Sequence, residues 1–193
     1  MGGGWGGIMA AVTRSVYIET ALAILADRGF HGLNIGELCQ RLGVTSGSFY
    51  HHFGSWDDFV QALLQHWENE QTNRLLEMAN LHSDARERIE VLKQLAVVLP
   101  HEAEAAIRAW SKNRAPVATV QQRVDARRQQ ALQEIIAAVV ADPAQARMLA
   151  TLGMSVLVGL QQLRSPVDVD ELHALLEEVH QLILRRASTT QCW

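Results

Sequence analysis

The chain has little cysteine and little lysine for its length. Of its 193 residues, Cys39 and Cys192 are the only cysteines, and Lys93 and Lys112 are the only lysines. Two cysteines so far apart give neither a disulfide framework nor a CxxC motif, which is typical of a reducing cytoplasm. The net charge of −4 indicates neither a nucleic-acid nor a membrane partner, so function has to be inferred from local motifs.

Strand-like alternation and catalytic motifs are also missing. Apolar residues make up 48% of the chain, an ordinary proportion that leaves room for a large core. Helical periodicity with few breaks predicts an all-α fold of about nine helices without internal repeats. We find no nucleophile elbow, phosphate-cradling loop or paired acidic motif, and therefore predict a protein that is not an enzyme and has no cofactor.

Three short helical segments occupy the first third of the chain. The first runs from residue 14 to 28 and ends at Gly29, and Asn34 can cap the second. Gly43 supplies a turn, after which Thr45 can cap the third. Three short helices with a glycine turn between the last two predict a helix-turn-helix unit. By spacing alone, a three-helix packing module without a nucleic-acid role fits equally well.

The third helix has an apolar and a polar side. Phe49 and Phe53 are four residues apart and share one face. So short a helix is unstable alone in water, so we expect these phenylalanines to dock it on a core. Small hydroxyls, a phenol and imidazoles occupy the other sides, and such groups suit the edge of a nucleic-acid groove.

The segment 21–59 resembles the N-terminal domain of the tetracycline-repressor (TetR) family. The resemblance is carried by Arg28-Gly29-Phe30, Leu38, Leu42-Gly43-Val44, Gly47, Phe49-Tyr50-His51-His52-Phe53 and Asp57–Phe59. It implies a homodimeric transcriptional regulator, most often a repressor, that binds a palindromic DNA operator and is released by a small, largely apolar effector. It also implies DNA contacts by Thr45, Ser46, Ser48, Tyr50, His51, His52 and Trp56.

The sequence departs from the family pattern in its charge. Trp56 stands where the family usually has a lysine, Ser46 where a lysine or glutamine is common, and Gly36 where some members have an arginine. Between residues 14 and 60, three arginines minus five acidic residues give a charge of −2. We therefore expect weaker and less salt-dependent DNA binding than in lysine-rich relatives. The alternative is a small-molecule-binding dimer that has lost DNA binding.

The same layout suggests four parts. We predict a flexible tail over 1–13, a DNA-binding domain over 14–60, an effector-binding and dimerisation domain over 61–187, and a tail over 188–193. The two isolated cysteines, and a start without the cationic and apolar regions of a signal peptide, predict a cytoplasmic protein.

An effector pocket is expected among the middle helices, because the family encloses one there. Aromatic and methionine side chains can line an apolar cavity, and the candidates are Trp67, Met78 and Trp110. Ordinary core packing explains any one of them equally well.

The last two helices favour a dimer interface. The segment 148–163 carries no charge, and the final helix presents a leucine stripe. Two such helices per subunit can form a four-helix interface. The predicted members are Leu149, Leu152, Gly153, Val156, Leu160, Leu172, Leu176, Val179 and Ile183. The alternative is that both helices complete the core of a single subunit.

A polar face lies opposite that leucine stripe. It carries Asp170, His173, Glu177 and His180, and the last two have the spacing of a metal-ligand pair. No second such pair exists, so we predict a hydrated surface and no metal site.

Overall fold

The computed structural model describes residues 12–189, which form nine helices and no strand. This confirms the all-α prediction. The helices are α1 (Arg14–Gly32), α2 (Ile35–Leu42), α3 (Ser46–Phe53), α4 (segments Trp56–Glu68, Asn69–Asn73 and Arg74–Asn80), α5 (Ala85–Val97), α6 (His101–Ser111), α7 (Ala115–Ala137), α8 (Pro143–Leu163) and α9 (Val169–Thr189).

Both predicted tails fall largely outside this range. Residues 1–11 and 190–193 lie outside the described part of the chain. Within it, Thr13 caps α1 and Ser188 belongs to the last turn of α9.

Side-chain caps and glycines set the limits of the first three helices. The Asn34 side chain accepts a hydrogen bond from the Glu37 amide at 3.0 Å, and Thr45 caps α3 in the same way. Helical geometry in α1 is interrupted at Gly29, where φ is +65°, and Gly43 ends α2 at φ +65°. These local signals are the ones that the sequence predicted.

The fourth helix runs from Trp56 to Asn80 and contains one wider turn. Residues Asn69–Asn73 form a π-helical turn between two α-helical segments. Such turns are rare and occur often at functional sites. This one lies where α4 passes the interior of the C-terminal helices.

One continuous core joins the first three helices to the helices that follow. Tyr17, Phe49 and Phe59 are fully buried in it, and it extends through Trp67 to Val124 of α7. The predicted boundary between residues 60 and 61 stays a prediction, since α4 passes through it and this core spans it. Two further apolar clusters lie among α5, α7, α8 and α9.

Replacing Gly29 by alanine should lower the free energy of unfolding by about 1–3 kcal/mol, because its φ and ψ lie in a region open essentially only to glycine. No atom lies within 4 Å of the added Cβ, so the cost is conformational. Gly47→Ala is the matched control, since Gly47 is helical and its added Cβ meets only Thr45 Oγ1 at 3.6 Å. Urea denaturation measures the free energy of unfolding of both variants. Equal stability of the two would contradict a glycine-only backbone conformation at residue 29.

Candidate nucleic-acid interface and internal cavity

The outer side of α3 is polar and accessible. Thr45, Ser46 and His51 are exposed, and the Tyr50 ring is 51% exposed. Phe49 and Phe53 point inward and are buried, as the sequence predicts. The helix therefore presents hydroxyl, phenol and imidazole groups on a rigid base.

Two of the predicted contact residues also hold α3 in place. The Tyr17 hydroxyl donates a hydrogen bond to Ser48 Oγ at 3.1 Å, and the His52 ring lies 5.3 Å from the Tyr17 ring. Both Ser48 and His52 are half-buried. Part of each side chain therefore faces Tyr17 of α1, and the rest stays accessible.

Trp56 is mainly a packing residue. Its ring lies 5.2 Å from the Phe59 ring and 6.2 Å from the Phe49 ring, and the side chain is half-buried. At the start of α4 it therefore covers the aromatic core, and it offers no charge to a phosphate. Of the seven predicted contact residues, Trp56 is therefore better explained by packing than by contact with DNA.

The arginines near α3 are already engaged. Arg41 binds Glu37 at 2.8 Å and Asp27 at 2.6 Å, and Arg28 binds Glu37 at 2.9 Å. Arg14 lies over the Phe53 ring, 4.8 Å from its centroid. The candidate interface thus has polar groups but little uncompensated positive charge.

An apolar cavity of about 120 Å³ lies between α4, α5, α7, α8 and α9. Its lining is almost entirely aliphatic, and the polar groups at its walls are few. The lining residues are Gln71, Thr72, Leu75, Leu76, Ile89, Leu92, Lys93, Leu95, Ala96, Leu99, Arg128, Leu132, Gly153, Met154, Leu157, Leu176, Val179, His180 and Ile183.

None of the three predicted effector residues lines this cavity. Trp67 and Trp110 belong to the core shared with the first helices, and Met78 is 42% exposed on the surface of α4. Large aromatic side chains do not mark the cavity, because they fill the core shared with the first helices. The signal that could have found the cavity is the aliphatic stripe of α5 at positions 89, 92 and 96, which Leu99 continues after the helix ends.

A buried ion pair closes one end of the cavity. Arg128 donates two hydrogen bonds to Glu104, at 2.6 and 2.9 Å, and further ones to the Thr72 hydroxyl and the Gln71 carbonyl. Burial opposes the charge of Arg128, but the charge and hydrogen bonds of Glu104 outweigh it and raise the Arg128 pKa. This pair fastens the π-helical turn of α4 to α7.

Part of the polar face of α9 is internal, contrary to the sequence prediction. His180 is 9% exposed and lies 3.1 Å from Glu90 of α5, while Lys93 contacts both Glu90 and Glu177. Asp170 and His173 are exposed, as predicted. The sequence predicts Glu177 and His180 on a hydrated surface because its periodicity does not reveal that α5 packs beside the leucine stripe of α9.

Most residues of the predicted dimer interface are not accessible in the structure. Most of them are buried within one subunit, because α9 packs its stripe on α5 and α8 of its own chain. Those with 0–9% exposure are Leu149, Leu160, Leu172, Leu176, Val179 and Ile183. Gly153 is buried and Val156 half-buried, whereas Leu152 is 38% exposed.

These features define a helix-turn-helix unit, α1 to α3, joined to further helices that surround an apolar cavity. Residues 18–63 match the family described as bacterial regulatory proteins, tetR family. This match covers the helix-turn-helix part of the chain, and it identifies residues 18–63 as a TetR-type N-terminal domain. None of the helices in residues 12–189 has the length and apolar character needed to cross a bilayer.

Curated relatives match over the first domain. The HTH-type transcriptional repressor KstR2 of Mycobacterium tuberculosis is 36% identical over 52 residues, which are 27% of this chain and 26% of that protein. The match thus spans about a quarter of the length of that relative.

Solved structures match over most of the chain and show the same fold. A TetR-family regulator from Streptomyces coelicolor has a TM-score of 0.77 at 16% identity, covering 91% of this chain and 95% of that one. A transcriptional regulator from Saccharomonospora viridis in complex with choline has a TM-score of 0.71 at 21% identity, covering 87% and 95%.

Truncating Glu104 to alanine should destabilise the protein by about 3–5 kcal/mol, because it leaves the Arg128 charge buried and unpaired. Glu134→Ala is the control. It removes the same charge from the exposed side of α7 and should change the free energy of unfolding little. Chemical denaturation of both variants measures the difference. A loss at position 104 no larger than at 134 would mean that the buried pair does not contribute to stability.

Proposed function

We propose that the chain is a homodimeric cytoplasmic repressor that binds a palindromic DNA operator through α3 and is released by a small, largely apolar effector. The observation that carries this proposal is the docking of α3 by Phe49 and Phe53, which leaves its polar side outward. The match of residues 18–63 to the TetR family model supports the same assignment.

Recognition would rest on hydrogen bonds and shape more than on charge. Thr45, Ser46 and Tyr50 offer hydroxyls to base edges or phosphates. Arg28 and Arg41 would have to leave their carboxylate partners to neutralise phosphate. The pairing of these arginines supports the expectation of a shallow dependence of affinity on salt.

An exposed apolar surface that keeps Leu152 from the predicted set is the better candidate for the dimer interface. Met148, Leu152, Gly159 and Leu163 fall within a narrow stripe along α8. Met148 is 52%, Leu152 38% and Leu163 79% exposed, and Leu175 of α9 is 39% exposed. Pairing of these surfaces around a twofold axis would carry two α3 helices toward successive major grooves, about 34–36 Å apart.

Helix α4 provides the route from effector to operator. It begins beside α3 at Trp56, and its Gln71 and Thr72 line the cavity. A ligand that displaces this turn against the Arg128 clamp would tilt α4 and change the spacing of the α3 helices. A differential affinity of about 1–3 kcal/mol is enough for such coupling. The choline complex of the Saccharomonospora viridis neighbour supports a small-molecule role for the domain.

The engaged arginines favour a second candidate, a ligand-binding dimer without DNA binding. A mobility-shift assay on DNA upstream of the coding sequence separates the two. A shifted complex supports the repressor, and no complex at low salt supports the alternative.

Replacing Tyr50 by alanine should weaken operator binding about tenfold or more, because a half-exposed phenol is lost from the reading surface. Val98→Ala is the control, since Val98 is 73% exposed and lies beyond the end of α5. Fluorescence anisotropy on the same DNA gives both affinities, and sedimentation checks that the dimer persists. Wild-type affinity in Tyr50→Ala would remove this residue from the interface.

Replacing Leu152 by glutamate should separate the dimer into single subunits, because it places a charge in the middle of the α8 stripe. Val98→Glu introduces the same charge at another exposed apolar position and should leave the dimer intact. Analytical ultracentrifugation reads the mass directly. A dimer that survives Leu152→Glu would place the interface elsewhere.

A further inference from the structure

Three basic side chains line the cavity, and no acidic side chain of residues 12–189 does. Arg128 of α7 lies at the end beside the π-helical turn of α4. Lys93 of α5 and His180 of α9 are neighbours, because both lie close to Glu90 Oε2, at 2.7 and 3.1 Å. The otherwise aliphatic space thus has two polar places, and both present groups that donate hydrogen bonds.

The place beside Arg128 is already satisfied. Its guanidinium makes four hydrogen bonds, two to Glu104 and one each to the Thr72 hydroxyl and the Gln71 carbonyl. These bonds use most of the N–H groups that a guanidinium carries. This end of the cavity therefore has little to offer a ligand.

The wall formed by Lys93 and His180 has donors to spare. Lys93 Nζ contacts the carboxylates of Glu90 and Glu177 and makes no hydrogen bond to any other residue in the range 12–189. An ammonium has one N–H more than these two contacts use, and the Lys93 side chain is only 7% exposed to solvent.

His180 adds a second unsatisfied group to the same wall. Its Nδ1 is buried and makes no hydrogen bond of acceptable geometry, although Glu90 Oε2 is near. A carboxylate oxygen beside Nδ1 favours a proton on that nitrogen. Since buried polar groups are normally paired, spare donors at the edge of a cavity indicate a place for an acceptor.

The net charge of this wall is zero or negative. Burial disfavours the ammonium of Lys93, but its hydrogen bonds to Glu177 and Glu90 outweigh burial and raise the Lys93 pKa. The same hydrogen bonds lower the pKa of Glu177 to about 2 and also lower that of Glu90. One ammonium and two carboxylates sum to −1, and a charged His180 makes the sum zero. In neither state does a surplus positive charge exist.

A charged head group is therefore a poor fit, whichever its sign. An anion would be buried without a net opposite charge. A cation would meet the basic lining, because Glu90 and Glu177 do not line the cavity and are more than a third exposed to screening solvent. An uncharged acceptor avoids both penalties and satisfies the spare donors.

Volume and walls define the rest of the ligand. An apolar cavity of about 150 Å³ holds benzene, and this one, at about 120 Å³, is slightly smaller. Its aliphatic walls require the part of the ligand beyond the acceptor to be hydrocarbon.

We propose that the cavity binds an uncharged ketone carried on a compact hydrocarbon of about six carbons, with its carbonyl oxygen accepting hydrogen bonds from Lys93 Nζ and His180 Nδ1. This deepens the proposed function and rests on it, because it names the chemical class of the effector. A carbonyl accepts and does not donate, which matches a lining with basic side chains and no acidic one. The hydrocarbon occupies the space between α5, α8 and α9.

Isothermal titration of the full chain with cyclohexanone, cyclohexanol, cyclohexylamine and cyclohexanecarboxylate tests the class, since the four share one ring and differ in their polar group. The ketone should bind about tenfold tighter than the alcohol, whose O–H finds few acceptors in the lining. The two charged compounds should bind more weakly than either. Equal or tighter binding of the alcohol, tighter binding of a charged compound, or no binding of the ketone would overturn the proposal.

Two variants locate the effect. Lys93→Met removes the ammonium from the wall and should reduce the advantage of the ketone over the alcohol to about twofold or less. Lys112→Met removes the other lysine of the chain, which is exposed after the end of α6, and should keep the advantage. An advantage that survives Lys93→Met, or that disappears in Lys112→Met, contradicts the assignment to this wall. Circular dichroism verifies the helical content of both variants, and the wild-type series decides the ligand class without them.

A third variant tests the cavity itself. Ala96→Leu enlarges a side chain in the α5 wall and should weaken binding of both the ketone and the alcohol. Undiminished ketone binding would place the ligand elsewhere. DNA binding is measured on the same samples without any probe compound, so that retained DNA binding with failed ketone binding refutes the ligand class alone.

Discussion

Phe49 and Phe53 are buried against Tyr17 and Phe59, and this aromatic contact holds α3 on the rest of the molecule. The Phe53 ring meets Tyr17 edge-on at 5.5 Å and Phe59 at 5.0 Å, geometries that add to the benefit of burial. A helix of eight residues has no stability of its own in water. The outward direction of its hydroxyls and imidazoles is therefore a consequence of where its phenylalanines are buried.

The same core links the candidate DNA-binding surface of α3 to the helices around the cavity. From Tyr17 it passes through Trp67 of α4 to Trp110 of α6 and Val124 of α7, so the first domain does not sit on a flexible linker. At its far end Arg128 binds the π-helical turn of α4 and borders the cavity. Packed helices of this kind shift between discrete arrangements instead of deforming gradually, which suits a ligand-controlled change in α3 spacing.

Local features of the fold could be predicted from the sequence, whereas its long-range partners could not. The Asn34 and Thr45 caps, the Gly29 and Gly43 breaks and the inward phenylalanines depend on residues a few positions apart. The cavity and the dimer surface depend on which helices meet. The leucines of α9 signal an apolar face, but nothing in their spacing tells whether α5 of the same chain or a second subunit covers it. For the same reason the sequence predicts His180 at the surface, whereas it is buried against α5.

Native-state hydrogen exchange tests most directly whether the reading surface and the second domain share one cooperative core. If they do, the amides of Ile24 in α1, Phe53 in α3 and Val124 in α7 exchange through the same global opening, with equal free energies and equal dependence on denaturant. A separate opening of α1 to α3, at lower free energy and with a smaller denaturant dependence than that of α7, would contradict it.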